Sequence, residues 1–135
     1  MTGILIVSHY TLGESVRDTA SLIVGARDNV MALSLNKNDK AELFGEKIRA
    51  AVEKLDTGSG VLIFADMFGG TPCNLCVAQY LNNEKVRIIT GFNLPIVLDA
   101  IMHSGKPLDE LTKLLMEKRE KTIVDAKDFI KKKAV

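Results

Sequence analysis

The sequence predicts a doubly wound α/β fold, a mostly parallel sheet with helices on both faces. Four short apolar runs rich in β-branched residues alternate with longer segments of helical periodicity, an order that favours right-handed β-α-β crossovers. The first and third runs are almost continuously apolar, which is typical of strands covered on both faces of a parallel sheet. The predicted strands are Ile4–Val7, Val30–Leu35, Val61–Ala65 and Val86–Thr90.

Two amphipathic segments flank the second predicted strand. Thr11 and Glu14 have the spacing of a capping box, with Thr11 as the N-cap of a helix that runs to about Val24 and stops at a glycine. The segment Asp39–Leu55 repeats its apolar residues close to the helical period, which predicts a second, longer helix.

Three further helices are predicted by their start signals. Thr71 followed by Pro72 fits an N-cap and a proline at the first helical position. Asn93 similarly precedes a helix around Pro95–Met102, and Pro107 starts another that ends near Glu120. The predicted order is therefore βαβαβαβ followed by two helices.

The C-terminal part of the chain carries two short signals. Thr122–Ala126 is β-prone and is predicted as an edge strand, in its own subunit or in a partner. The basic run Lys131–Lys133 is predicted to be a solvated end without a function of its own.

Length and composition predict one globular domain over residues 1–135, of which 47% are hydrophobic and 26% charged. The net charge of +1 argues against a nucleic-acid partner. The sequence has no apolar run of about 18 residues and no signal-peptide pattern, so neither a transmembrane helix nor secretion is expected. Two cysteines in one short segment make no disulfide framework. The expected compartment is the cytoplasm.

Chemistry is predicted at the carboxyl edge of the sheet, where open parallel sheets bind ligands. His9 directly follows the first strand, beside the predicted helix start, and Asp66 directly follows the third strand. A neutral imidazole is a competent nucleophile near neutral pH. A carboxylate that accepts a hydrogen bond from its other ring nitrogen would fix the tautomer and stabilise the cation formed on phosphorylation. His9 is therefore the candidate phosphoryl acceptor, with Asp66 as its orienting partner.

A glycine-rich turn follows Asp66. Gly69 and Gly70 allow a close backbone approach to an anion, the following helix presents free N–H groups, and the Thr71 hydroxyl can donate a hydrogen bond. The turn also suits a simple strand-to-helix connection. The chain contains no Gly-x-x-x-x-Gly-Lys-[Ser/Thr] segment, which disfavours nucleoside-triphosphate chemistry.

Three segments together resemble the IIA domain of the mannose-family sugar phosphotransferase system. They are Ser8-His9, Asp66-Met-Phe-Gly-Gly-Thr-Pro72 and Gly91-Phe-Asn-Leu-Pro95. The resemblance implies that His9 accepts a phosphoryl group from the phosphocarrier protein HPr and passes it to the IIB component (EIIB), which serves the membrane permease. It also implies Asp66 as the hydrogen-bond partner and contacts from Gly70 and Thr71 to the phosphoryl oxygens.

The resemblance further implies a homodimer in which an edge strand near the C-terminus is exchanged, and Thr122–Ala126 matches that place. A protein that passes phosphoryl groups to EIIB, which serves the membrane permease, would be expected to associate peripherally with the permease complex. Transfer between two histidines is mainly a matter of positioning, so no metal or other cofactor is expected. Tyr10, Met67 and Phe68 are the candidate apolar rim for partner docking, although core burial would explain Met67 and Phe68 equally well.

Three alternatives remain open at this stage. Cys73 and Cys76 form a Cys-x-x-Cys at a helix start, a setting that lowers thiol pKa values in redox proteins, although two cysteines fall short of a four-ligand zinc site. A phospho-aspartate receiver would also place an aspartate such as Asp66 after its third strand, but it needs an acidic pair where this chain has Ser8-His9. The third is a non-catalytic module that binds anions in the same pocket. His103, at a predicted helix end, needs no catalytic role.

Overall fold

Four parallel strands form one sheet in a computed structural model that describes residues 1–133. In chain order they are β1 (Gly3–His9), β2 (Val30–Leu35), β3 (Val61–Ala65) and β4 (Val86–Thr90). Their spatial order is β2-β1-β3-β4, so β1 and β3 occupy the centre. Both central strands are buried along their length except at His9. The continuous apolar runs in the sequence reflect this position, since a central parallel strand has no solvent face.

Six α-helices connect or follow the strands within residues 1–133. They are α1 (Leu12–Val24), α2 (Ala41–Leu55), α3 (Thr71–Tyr80), α4 (Leu94–Met102), α5 (Leu108–Lys118) and α6 (Ala126–Lys133), with a 3-10 turn at Arg119–Lys121. The helix after β2 begins two residues later than Asp39, because the Asp39 carboxylate accepts the Asn36 N–H (2.7 Å) in the preceding turn.

Helices cover both faces of the sheet, which confirms the predicted doubly wound arrangement. On one face, Ile4 and Ile6 of β1 and Phe64 of β3 pack with residues of α1, α4 and α5. On the other face, Leu5 and Val7 pack with residues of α2 and α3. Side chains alternate between faces along a strand, so each central strand contributes to both cores. The two cores fix the strand ends, and with them the loops at the carboxyl edge.

The start of α1 differs from the predicted capping box. Thr11 occupies the N-cap position, but its side chain makes no capping hydrogen bond. Instead the buried Ser8 hydroxyl accepts the Gly13 N–H at 2.7 Å. The helix ends as predicted at Gly25, whose φ of 87° lies in the region that glycine tolerates best.

The prediction of an edge strand at Thr122–Ala126 in the chain's own sheet is wrong. Thr122 follows the 3-10 turn and donates its hydroxyl to the Arg119 carbonyl (2.8 Å), and Ala126 begins α6. The β-branched residues Ile123 and Val124 lie exposed. Their strand propensity does not produce a strand here, because the segment does not pair with an edge of the sheet. Exchange of this segment between subunits stays a prediction. The basic run Lys131–Lys133 forms the exposed last turn of α6.

Candidate active site

His9 and Asp66 meet at the carboxyl edge of the sheet. Strands β1 and β3 are hydrogen-bonded neighbours with Val7 opposite Ala65, so the residues that follow each strand emerge side by side. The Asp66 Oδ2 atom lies 2.7 Å from His9 Nδ1 and also accepts the His9 backbone N–H at 2.9 Å. Since a carboxylate only accepts hydrogen bonds, the Nδ1 atom carries the proton of this contact, and in the neutral ring Nε2 then holds the lone pair.

The Asp66 carboxylate is fixed on its other side as well. Its Oδ1 atom accepts the Met67 N–H at 3.0 Å, and the Asp66 N–H donates to the Val7 carbonyl at 3.2 Å. Only 9% of the Asp66 side chain is exposed, against 45% for His9. Asp66 is therefore a rigid, shielded acceptor, while one edge of the imidazole faces solvent.

Gly70 lies directly against the His9 ring. A Cβ atom placed on Gly70 would come within 2.7 Å of His9 Cε1 and 3.6 Å of His9 Nε2, so no side chain fits here without displacing the imidazole. The turn is anchored by Asn74, which donates its side-chain N–H to the Gly69 carbonyl (3.1 Å) and its backbone N–H to the Gly70 carbonyl (2.9 Å). The Cε1 edge of the ring thus lies against the glycine turn, with Nε2 next to it.

Helix α3 starts at this turn, one residue earlier than predicted. Gly70 takes the extended conformation of an N-cap, Thr71 is the first helical residue, and Pro72 lies in the first turn. The free N–H groups and positive dipole end of α3 therefore begin beside the imidazole, in an arrangement that favours an anion. Because Gly70 occupies the N-cap position, the Thr71 hydroxyl does not serve as the cap of this helix.

A groove of about 470 Å³ opens beside His9 and Thr71. Further lining comes from the end of β2 and the β2–α2 connection, which were not predicted to belong to the site: Leu35, Asn36, Lys37 and Asp39. The position of β2 could have indicated these residues. This strand is also parallel, and its carboxyl end lies at the same edge of the sheet as that of β1. The groove is larger than a phosphoryl group alone requires.

The three residues predicted as a docking rim are exposed. Tyr10, Met67 and Phe68 have exposed fractions of 70%, 55% and 83%. They flank His9 and Gly70 in sequence, and Met67 Cγ would lie 3.0 Å from a Cβ atom on Gly70. The alternative of core burial for Met67 and Phe68 is therefore wrong, and their part in docking stays a prediction.

The two cysteines belong to the core. Cys73 and Cys76 are buried against β1, β3 and α2, and neither forms a disulfide. Burial, together with the neighbouring Cys73, raises the pKa of the Cys76 thiol to about 12, the opposite of the lowered value that a reactive thiol needs. Within residues 1–133, the side chains form no cluster of three or more His, Cys, Asp or Glu that could hold a metal ion.

We expect these thiols to be inert in the folded protein. A maleimide or disulfide reagent at pH 8 should modify neither cysteine, because burial excludes the reagent and Cys76 stays protonated far below a pKa of about 12. Both cysteines should react promptly in denaturant, which is the internal control. Rapid labelling of the native protein, measured by mass spectrometry, would revive the thiol-redox alternative.

His103 lies away from this site. It caps the end of α4, and its Nδ1 atom lies 2.8 Å from the Asp99 carbonyl oxygen. The adjacent Ser104 carbonyl accepts the N–H of Thr2, just before β1, so His103 lies at the amino edge of the sheet.

A receiver-like role for Asp66 is also disfavoured, since both of its carboxylate oxygens already accept hydrogen bonds from within the chain.

Comparison with known families agrees with this geometry. The sequence model of the family described as "PTS system fructose IIA component" (EIIA-man) matches residues 3–123. The chain belongs to this family. The family is that of the IIA components of sugar phosphotransferase systems, in which phosphoryl groups pass between protein components. No helix within residues 1–133 has the length and apolar character needed to span a bilayer.

Individual relatives carry related descriptions. The "PTS system mannose-specific EIIAB component" of Escherichia coli K12 is 32% identical over 116 residues, which cover 84% of this chain and 36% of the relative. The chain thus spans about a third of the length of that relative. The "PTS system fructose-specific EIIA component" of Bacillus subtilis is 26% identical over 101 residues, covering 75% of this chain and 69% of the relative.

Solved structures share the fold. The PTS IIA protein associated with the fucose utilization operon of Streptococcus pneumoniae superimposes with a TM-score of 0.88 at 26% identity and covers 96% of both chains. The mannose/sorbose specific IIA subunit of Enterococcus faecalis gives a TM-score of 0.80 at 23% identity, over 91% of this chain and 92% of its own. These matches confirm the α/β fold class predicted from the sequence.

Proposed function

We propose that His9 accepts a phosphoryl group from HPr and passes it to EIIB. The observation that carries this proposal is the 2.7 Å contact between His9 Nδ1 and Asp66 Oδ2. In the neutral ring this contact leaves the lone pair on Nε2, close to Gly70 and on a residue that lines the same groove as Thr71. An oriented neutral imidazole with an open nitrogen is what nucleophilic attack on phosphorus requires.

The transfer step exchanges one phosphorus–nitrogen bond for another. The His9 Nε2 lone pair forms the new bond as the bond to the donor histidine breaks, and the Nδ1 proton remains on the ring. Asp66 stabilises the positive charge that the imidazole gains. Transfer of the group to EIIB reverses these events and restores the neutral ring. Because this transition state is loose, positioning and charge stabilisation supply most of the rate.

Helix α3 and its N-cap supply the groups that would face the phosphoryl oxygens. The backbone at Gly70 can approach closely because Gly70 has no Cβ atom. The Thr71 hydroxyl, free of a capping bond, can donate a hydrogen bond. Donors fixed before the reaction stabilise developing charge without a reorganisation cost.

Tyr10, Met67 and Phe68 form the proposed docking rim. They are exposed around the phosphoryl acceptor, and aromatic side chains commonly anchor protein interfaces. HPr and EIIB must each reach the same Nε2 atom, so both partners use this rim in turn. The chain then serves the membrane permease indirectly, through EIIB, from the cytoplasm and in peripheral association with the permease complex.

We also propose that the chain works as a homodimer, held in part by its C-terminal segment. Ile123, Val124, Phe129 and Ile130 are all at least half exposed, and such adjacent apolar residues commonly mark an interface. Analytical ultracentrifugation should give twice the monomer mass, and Ile123→Asp should shift the equilibrium toward monomer. A monomeric wild-type protein at micromolar concentration would contradict this assembly.

The role of Asp66 is tested by Asp66→Asn. The asparagine amide can turn an N–H toward Nδ1, which moves the imidazole proton to Nε2 and removes the nucleophilic lone pair. We expect the rate of phosphoryl transfer from phospho-HPr, measured by rapid quench, to fall by roughly 100-fold or more. Asp66→Ala should also slow transfer, and both variants should still fold.

Asp39→Asn is the matched control. Asp39 lines the same groove and loses the same charge, but its carboxylate contacts the Asn36 N–H and not the imidazole. Its transfer rate should stay within about 3-fold of wild type, as expected for an altered charge beside a screened, open groove. A wild-type rate for Asp66→Asn would contradict the orienting role of Asp66.

A further inference from the structure

Tyr10, which directly follows His9, has a backbone conformation that its side chain disfavours. Its φ is 50°, and no other non-glycine residue within 1–133 has a positive φ. A side chain with a Cβ atom rarely adopts this left-handed region, and bulky residues persist there only where surrounding contacts hold them. The contacts that hold Tyr10 therefore decide the course of the chain just after the proposed phosphoryl acceptor.

Hydrogen bonds hold Tyr10 on both sides. Its N–H donates to the Leu35 carbonyl of β2 at 2.8 Å. Its carbonyl accepts the Ser8 hydroxyl at 3.1 Å, and the Ser8 Oγ atom in turn accepts the Gly13 N–H at 2.7 Å. Ser8 is fully buried, so its hydroxyl is shielded from solvent. One buried hydroxyl thus ties the end of β1 to the start of α1 across Tyr10.

Gly13 makes this link close enough to work. A Cβ atom on Gly13 would lie 3.1 Å from Ser8 Oγ and 3.0 Å from Ile6 Cγ2, which is tighter than ordinary contact. The absence of a side chain lets the Gly13 amide reach the hydroxyl. The hydrogen bond from the Gly13 N–H to Ser8 Oγ therefore depends both on the buried hydroxyl and on the lack of a side chain at Gly13.

His9 lies between the two linked residues. Its backbone N–H and its Nδ1 atom both contact the same oxygen, Asp66 Oδ2. This double contact requires the His9 backbone and ring to keep one orientation. If Tyr10 relaxed to a negative φ, the backbone after His9 would turn and the two contacts would no longer be made together.

We infer that Ser8 is a positioning residue, whose hydroxyl holds Tyr10 in its left-handed conformation and thereby holds the His9 imidazole against Asp66. The effect on phosphoryl transfer rests on the proposed function of His9. The effect on the imidazole does not, since it is present in the unphosphorylated protein and can be measured there.

A double-mutant cycle of Ser8→Ala and Tyr10→Gly tests this inference. Glycine adopts a positive φ without a side-chain penalty, so it removes the need for the Ser8 hydroxyl. We expect Ser8→Ala to slow transfer from phospho-HPr by about 10-fold or more when Tyr10 is present. In the Tyr10→Gly background the same substitution should change the rate by less than about 3-fold. The ratio removes the separate contribution of Tyr10 to docking.

The second readout is the ¹⁵N NMR spectrum of the His9 ring without phosphorylation. Ser8→Ala should shift the ring nitrogens away from the pure Nδ1–H tautomer, and Tyr10→Gly in combination should restore the wild-type shifts. Ser8→Thr keeps the hydroxyl and should behave as wild type. Ser8→Val has the same shape as the threonine variant but lacks the hydroxyl, so it should not behave as wild type. This pair carries the comparison if Ser8→Ala does not fold.

Ser34→Ala is the matched control. Ser34 pairs with Ser8 across β1 and β2, and its buried hydroxyl has no hydrogen-bond partner within the part of the chain described. It should leave both readouts unchanged. Equal effects of Ser8→Ala in the two Tyr10 backgrounds, or unchanged His9 shifts in Ser8→Ala, would overturn the inference. If wild-type protein took no phosphate on His9, the proposed function would fail while the NMR comparison still decided the role of Ser8.

Discussion

His9→Ala is expected to abolish phosphorylation of the chain. The substitution removes His9 Nε2, the atom that acts as the nucleophile in the proposed mechanism. His9 lies against Gly70 and lines the groove. Since no other group takes over a covalent transfer, the loss should be complete rather than partial. The measurement is incorporation of ³²P from phosphoenolpyruvate in the presence of the general phosphotransfer enzyme and HPr.

His103→Ala is the control for this experiment. His103 is the other histidine of the chain and lies at the opposite edge of the sheet, bonded to the Asp99 carbonyl. It should label like wild type. The His9 variant should keep its circular dichroism spectrum, because the His9 side chain is nearly half exposed. Normal labelling of folded His9→Ala would refute the assignment.

Gly70→Ala is expected to have the second largest effect. The added methyl group would lie 2.7 Å from His9 Cε1, closer than real contacts allow, and 3.0 Å from Met67 Cγ, which is a tight contact. The ring must move away, which breaks its contact with Asp66 or turns Nε2 from the groove. A displacement of about 1 Å at a reacting centre costs on the order of 100-fold in rate, so we expect a loss of that size in rapid-quench transfer from phospho-HPr.

Gly105→Ala provides the comparison for the same chemical change. A Cβ atom on Gly105 meets nothing within 4 Å, and its φ lies outside the left-handed region. Its transfer rate should equal that of wild type. A Gly70→Ala protein that also transferred at the wild-type rate would show that the imidazole does not need the position seen here.

The sequence contained most of the fold because its strands are central. Runs such as Ile4–Val7 and Val61–Ala65 are apolar at every position, a pattern typical of strands buried on both faces of a parallel sheet. The alternation of strands and helices then dictates a parallel sheet. Once β1 and β3 are neighbours, His9 and Asp66 must emerge at one edge. The principal pair of the candidate site could therefore be predicted without coordinates.

The remaining differences come from contacts that local sequence does not encode. Thr11 had the spacing of a cap, but Ser8, five residues before Gly13, reaches the helix amide instead. Thr122–Ala126 had strand propensity but finds no strand to pair with in its own sheet. Lys37 lines the groove because β2 ends beside β1, and that proximity depends on the order of strands in the sheet. Each depends on which elements become neighbours.

The chemical identity and position of the phosphate test the central claim most directly. The chain would be phosphorylated through HPr, treated with acid and with alkali, and mapped by peptide mass spectrometry. The account predicts an acid-labile, alkali-stable phosphate on the peptide that contains His9. A phosphate labile in both acid and alkali on the Asp66 peptide, or no phosphate from an active donor system, would contradict it.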